Sequence, residues 1–110
     1  MDIQHYLSES HRIAKEHGWW EGEEENPRNL GEQIALMHSE LSEALEEYRK
    51  STDPIYLVDS KPEGIVVEFA DVLIRIFDTC QRYGWDLEKA MAMKLDYNES
   101  RPYRHGNLKA

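Results

Sequence analysis

The chain predicts an all-α fold of the four-helix-bundle type, in one domain covering residues 1–110. Three observations carry that expectation. Apolar residues recur at i, i+3, i+4 and i+7 around residues 29–50, the period of a helix. The run Ile65-Val66-Val67-Glu68-Phe69-Ala70-Asp71-Val72-Leu73-Ile74-Arg75-Ile76-Phe77 is apolar on nearly every side, which describes a helix at the centre of a bundle. Helix-stopping residues punctuate the intervals, at Gly18, Pro54, Gly84 and Pro102.

The first helix is expected from about Ile3 to Glu16, with Ile3, Tyr6, Leu7 and Ile13 on its apolar side. Trp19-Trp20 then opens a polar loop that ends at the turn signal Asn26-Pro27. The second helix is expected from near Asn29 to about Lys50. Its core stripe is Ile34, Met37, Leu41, Ala44, Leu45 and Tyr48, with Glu40, Glu43 and Glu47 on an adjacent stripe. Ser51-Thr52-Asp53-Pro54 ends it, since the residue before proline avoids helical geometry. Ile55-Tyr56-Leu57-Val58 is read as loop, because no pairing partner is evident for a strand. The third helix is expected over Pro62 to Tyr83. Asp86 is a good N-cap for a fourth helix, Leu87 to about Asn98, with Leu87, Ala90, Met91 and Leu95 as its core. The tail from Tyr103 is basic and reads as extended.

Apolar residues outside the third helix are too few to surround it. A second subunit is therefore expected to cover part of it, and a homodimer is the simplest symmetric arrangement. Charge narrows the partners. With 22 acidic and 13 basic residues the formal net charge is -9. That argues against duplex nucleic acid and anionic membranes, which need a basic footprint, and suits a site that takes cations. One cysteine, Cys80, permits no disulfide framework within one chain and suits a reducing compartment. The opening Met1-Asp2-Ile3-Gln4-His5 lacks signal-peptide character. No apolar run reaches the roughly 20 residues that span a bilayer. A soluble cytoplasmic protein is the expectation.

The chemistry sits where carboxylates interrupt the apolar helix. Glu68, Asp71, Arg75 and Asp78 fall on one face at i, i+3, i+7 and i+10. A buried carboxylate without a partner is costly enough to protonate instead, so this face needs a cation. Arg75 is expected to pair with Asp71 or Asp78 rather than to touch phosphate. Glu40 and Glu43 form a second i, i+3 pair on the preceding helix. Two such pairs on facing helices make an oxygen cage suited to Mg²⁺, Mn²⁺ or Ca²⁺. Zinc and di-iron sites call for histidine or cysteine ligands, which these motifs lack; a small ferritin-like metal carrier is disfavoured for the same reason.

Glu40-Leu41-Ser42-Glu43 followed by Glu68-Phe69-Ala70-Asp71 resembles the E-x-x-E…E-x-x-D signature of the all-α nucleoside triphosphate pyrophosphohydrolases, the MazG-like group that includes dimeric dUTPases. The stretch from Glu68 to Ile76 is similar to that family's third helix, and Lys94 to Pro102 to its downstream Lys…Asn…Arg segment. The resemblance covers roughly Leu30 to Gly106. It implies a helical homodimer or dimer of dimers. It implies Mg²⁺ held by Glu40, Glu43, Glu68 and Asp71, and hydrolysis of a nucleoside triphosphate between its α and β phosphates. Glu43 or Glu40 is the expected general base. Lys94, Asn98 and Arg101, at i, i+4 and i+7, are expected to hold phosphates, with Arg104 and His105 as weaker candidates. Trp20 and Trp19 are the candidates for stacking on the base, with Trp85 behind them. The competing expectation is a helical dimer that binds nucleotide or a protein partner without turnover.

Overall fold

A computed structural model describes residues 2–22, 29–50 and 52–102. Four helices, α1 (Ile3–Glu16), α2 (Leu30–Lys50), α3 (Ile65–Tyr83) and α4 (Leu87–Ser100), account for most of it. α3 is the hub, packed against α1 on one side and α2 on the other. The Asn26-Pro27 turn and the basic tail with Arg104 and His105 lie outside the described residues.

Local chemistry sets the boundaries. Asp2 caps α1 by accepting from the Gln4 amide at 3.0 Å, and Asp86 caps α4 by accepting from Lys89 at 3.0 Å. Asn29 caps α2 through the Glu32 amide at 2.8 Å. Gly84 closes α3 in the left-handed conformation, at φ 71°.

The segment read as loop is a β-hairpin. β1 (Tyr56–Val58) pairs antiparallel with β2 (Lys61–Glu63), placing Tyr56 opposite Glu63 and Leu57 opposite Pro62. Its two turn residues, Asp59 and Ser60, have φ of 50° and 69°. Positive φ at both positions matches the twist of a tight hairpin. Pro62 is tolerated because a two-stranded ribbon has only edges. The hairpin also takes the first turn expected of α3, which begins at Ile65 after Gly64 rather than at Pro62.

α2 presents α3 with its acidic stripe instead of its apolar one. Gln33, Glu40, Ala44 and Glu47 are buried, while Ile34, Leu41, Leu45 and Tyr48 face outward. Ala44 is 3 % exposed and its neighbour Leu45 is 48 % exposed. On α3, Val66, Phe69, Leu73 and Ile74 also remain exposed. α4 buries none of its residues. No helix among the described residues is long and apolar enough to cross a membrane.

Candidate metal centre and adjoining cleft

Glu40 on α2 and Glu68 and Asp71 on α3 offer carboxylate oxygens that all lie within 4.8 Å of one another. Opposed oxygen ligands of one hard divalent cation are separated by about twice the metal–oxygen distance, about 4–5 Å. The spacing therefore suits a single ion. Glu68 is only 8 % exposed, and its Oε2 is buried with no hydrogen-bond partner. An acceptor in that state is normally satisfied, and a cation would satisfy it.

Electrostatics point the same way. Burial, with Asp71, Glu43 and Glu40 close by, raises the Glu68 pKa from 4.5 to about 7. Asp71 is also raised, first by burial and then by Glu40, against the opposing pull of Arg75. Like charges on a buried seam resist joint ionisation, and a divalent cation removes that resistance. Glu43 is exposed and stands outside the three-carboxylate group, yet it bears on Glu68 through both charge and hydrogen bonding.

Among the described residues, the ion pair of Arg75 is with Glu40 rather than with Asp71 or Asp78, although its charge also pulls the Asp71 pKa down. Its Nε donates to Glu40 Oε1 across the helix interface at 2.8 Å, and its guanidinium lies over the Trp19 ring at 4.9 Å.

A second acidic group, missed at the level of sequence, joins Glu47, Glu63 and Glu68 within the same spacing. Glu47 is 4 % exposed. It accepts from Tyr56 Oη at 2.8 Å and faces Lys50 Nζ at 3.2 Å, while Lys61 Nζ lies 3.2 Å from Glu63. Here the protein supplies its own cations. The signals were present in Lys50, three residues from Glu47, and in Tyr56, but only the hairpin brings the phenol to the helix.

A cleft of about 280 Å³ adjoins the first group. It is lined by Glu40, Asp71, Asp78 and Arg75, with Ile13, Ala14, His17, Trp19 and Ile74. Trp20 is buried instead, its Nε1 donating to Asp78 Oδ1 at 2.9 Å, and Arg82 lies over its ring. Trp19 is thus the tryptophan on the cleft wall. Trp85 stacks on Tyr83 at 4.8 Å and is not part of the cleft. Lys94 and Arg101 lie over the Tyr97 ring, at 5.0 and 5.4 Å. Among the described residues, no hydrogen bond or ion pair joins Lys94, Asn98 or Arg101 to the carboxylates. Cys80 is half-buried, and burial raises its thiol pKa.

Compared with family models, with curated proteins and with solved structures, the chain matches none.

Proposed function

We propose that the protein is a Mg²⁺-dependent nucleotide pyrophosphohydrolase, cleaving a nucleoside triphosphate between its α and β phosphates to a monophosphate and pyrophosphate. The observation that carries this reading is the group Glu40, Glu68 and Asp71, with the partnerless buried Oε2 of Glu68 in its midst. The E-x-x-E…E-x-x-D pattern and its resemblance to the MazG-like enzymes support the choice of reaction. Mn²⁺ suits the same oxygen donors.

Glu40, Glu68 and Asp71 would hold the ion. A divalent ion so held supplies Lewis-acid polarisation of phosphate oxygens and a lowered pKa for bound water. Glu40 is engaged by Arg75, so Glu43, exposed at the edge of the group, is the carboxylate left to take a proton from the attacking water. The water oxygen then bonds to the α phosphorus, and the bond to the α,β-bridging oxygen breaks. The electron pair leaves with pyrophosphate.

A homodimer belongs to the same proposal. Leu41, Leu45 and Tyr48 on α2 and Phe69 and Leu73 on α3 are all exposed, and a second copy packed on the two helices would remove them from water. The radius of gyration is 16.8 Å, against about 13 Å for a compact domain of this length. A second copy would cover the apolar face and give α4 a surface to pack on. It would also offer Lys94, Asn98 and Arg101 a route to the phosphates.

The test is a pyrophosphate-release assay on standard and modified nucleoside triphosphates, with Mg²⁺ and with EDTA. Metal-dependent pyrophosphate from any of them supports the reading. Intact metal binding with no turnover would favour a binding module instead.

A further inference from the structure

Asp78 is buried at 5 % exposure, two helical turns from Asp71 on the same face of α3. Both of its hydrogen bonds fall on one oxygen. Trp20 Nε1 reaches Oδ1 at 2.9 Å, and His11 Nδ1 reaches the same Oδ1 at 2.8 Å. A carboxylate oxygen accepts, so His11 Nδ1 carries a proton in this contact. No donor among the described residues serves Oδ2, although a carboxylate has acceptor capacity on both oxygens. Two fixed donors on Oδ1 also fix the rotation of the group. Asp78 lines the same cleft as Glu40 and Asp71.

Asp78 lies seven positions beyond Asp71, an axial rise of about 10.5 Å. That is comparable to the reach from the α phosphate of a nucleotide to the pairing edge of its base. Ile13, Ala14, Ile74 and Trp19 give the cleft apolar and aromatic wall beside the polar His17 and Arg75, the mixture a base slot requires. We infer that Asp78 selects the base: its Oδ2 accepts from an exocyclic amino group, so the cleft takes cytosine or adenine nucleotides in preference to their oxo counterparts. A 4-oxo or 6-oxo group in the same place would set a second acceptor against a buried carboxylate, and unmatched buried polar groups discriminate strongly. The inference rests on the nucleotide reading above, and supplies its substrate class.

The experiment measures binding rather than turnover, so it stands apart from the hydrolysis assay. Calorimetry on the full chain compares dCMP with dUMP and AMP with IMP, pairs that differ at the amino or oxo position. Each is measured on the wild type and on Asp78→Asn, with circular dichroism as the check on folding. In the variant, Oδ1 still accepts from Trp20 and His11, and an NH₂ donor replaces Oδ2. The wild type is expected to bind the amino member of each pair at least tenfold more tightly, and Asp78→Asn to lose or reverse that ratio. A purely structural role for Asp78 would weaken both members equally and leave the ratio unchanged. Equal affinities in the wild type, an unchanged ratio in the variant, or no binding of any monophosphate would overturn the inference. If the variant does not fold, the wild-type ratios decide alone. Selective binding without any pyrophosphate release would overturn the hydrolase reading and leave the role of Asp78 standing.

Discussion

Arg75 on α3 and Glu40 on α2 are joined at 2.8 Å across the seam that carries the carboxylates. Arg75 makes the ion pair to this cluster among the described residues, and burial with mutual repulsion still holds Glu68 and Asp71 above their ordinary pKa. Arg75→Met keeps the length of the side chain and removes the guanidinium. We expect a loss of about 1–3 kcal/mol in denaturant unfolding at pH 8, from the unpaired Glu40. The loss should shrink at pH 5, where Glu68, its pKa raised to about 7, is protonated and the cluster carries less negative charge.

Glu68 gives stability a pH dependence of unusual sign for a carboxylate. Its pKa in the fold is about 7 against an ordinary 4.5. Between those values the folded state binds more protons than the unfolded chain, so stability falls as pH rises. The contribution is fully present below pH 4.5 and lost through pH 7. Thermal melts without metal should show a decline from pH 5 to pH 8 that Glu68→Gln flattens. Added Mg²⁺ should raise the melting temperature more at pH 8 than at pH 5, because the metal binds the ionised form. An equal Mg²⁺ effect at both pH values would place the ion elsewhere.

Carboxamide replacements separate the acids by role. Glu68→Gln and Asp71→Asn should weaken Mg²⁺ binding and remove turnover together. Glu43→Gln should lower kcat by about 10²–10⁴-fold, the scale of a general base, with Mg²⁺ affinity much less affected. Metal titration by calorimetry, run beside steady-state kinetics, reads both.

The hairpin makes a glycine indispensable at the start of α3. Gly64 has φ 117°, and a Cβ there would run into the Pro54 carbonyl, which also accepts from the Val66 amide at 3.1 Å. Gly64→Ala should cost at least about 1–3 kcal/mol, the range for strained backbone, measured by urea unfolding. Gly22→Ala, where a Cβ meets nothing within 4 Å, is the control for positive φ alone.

The helices were legible because their period and their caps agree. Ile3–Glu16 matches the expected range at both ends, and α2 and α4 differ by one or two residues. The hairpin was not legible, because Leu57 and Val58 pair with a segment containing proline and lysine that has no strand character of its own. The facing of α2 was half legible. Glu40 belonged to the expected cage, and Glu40 with Glu68 and Asp71 is what the fold brings together. The apolar stripe of Ile34, Leu41, Leu45 and Tyr48 read as core, but within one chain it faces outward, since periodicity identifies a face and not what covers it. The partner of Arg75 depended on the rotation of two helices about each other, which spacing along one helix does not contain.

That outward face makes a further prediction. Leu45→Glu and Phe69→Glu lie on α2 and α3 where the surface is apolar and exposed. If the proposed homodimer forms through this face, each should leave a monomer in light scattering with the helical signal intact.

Turnover in ¹⁸O-labelled water, followed by ³¹P NMR, tests the central claim most directly. Attack at the α phosphorus places the label in the nucleoside monophosphate and leaves pyrophosphate unlabelled, with the reaction stopped by EDTA; that is the expected result. Label in pyrophosphate, release of orthophosphate, or turnover that continues in EDTA would contradict it.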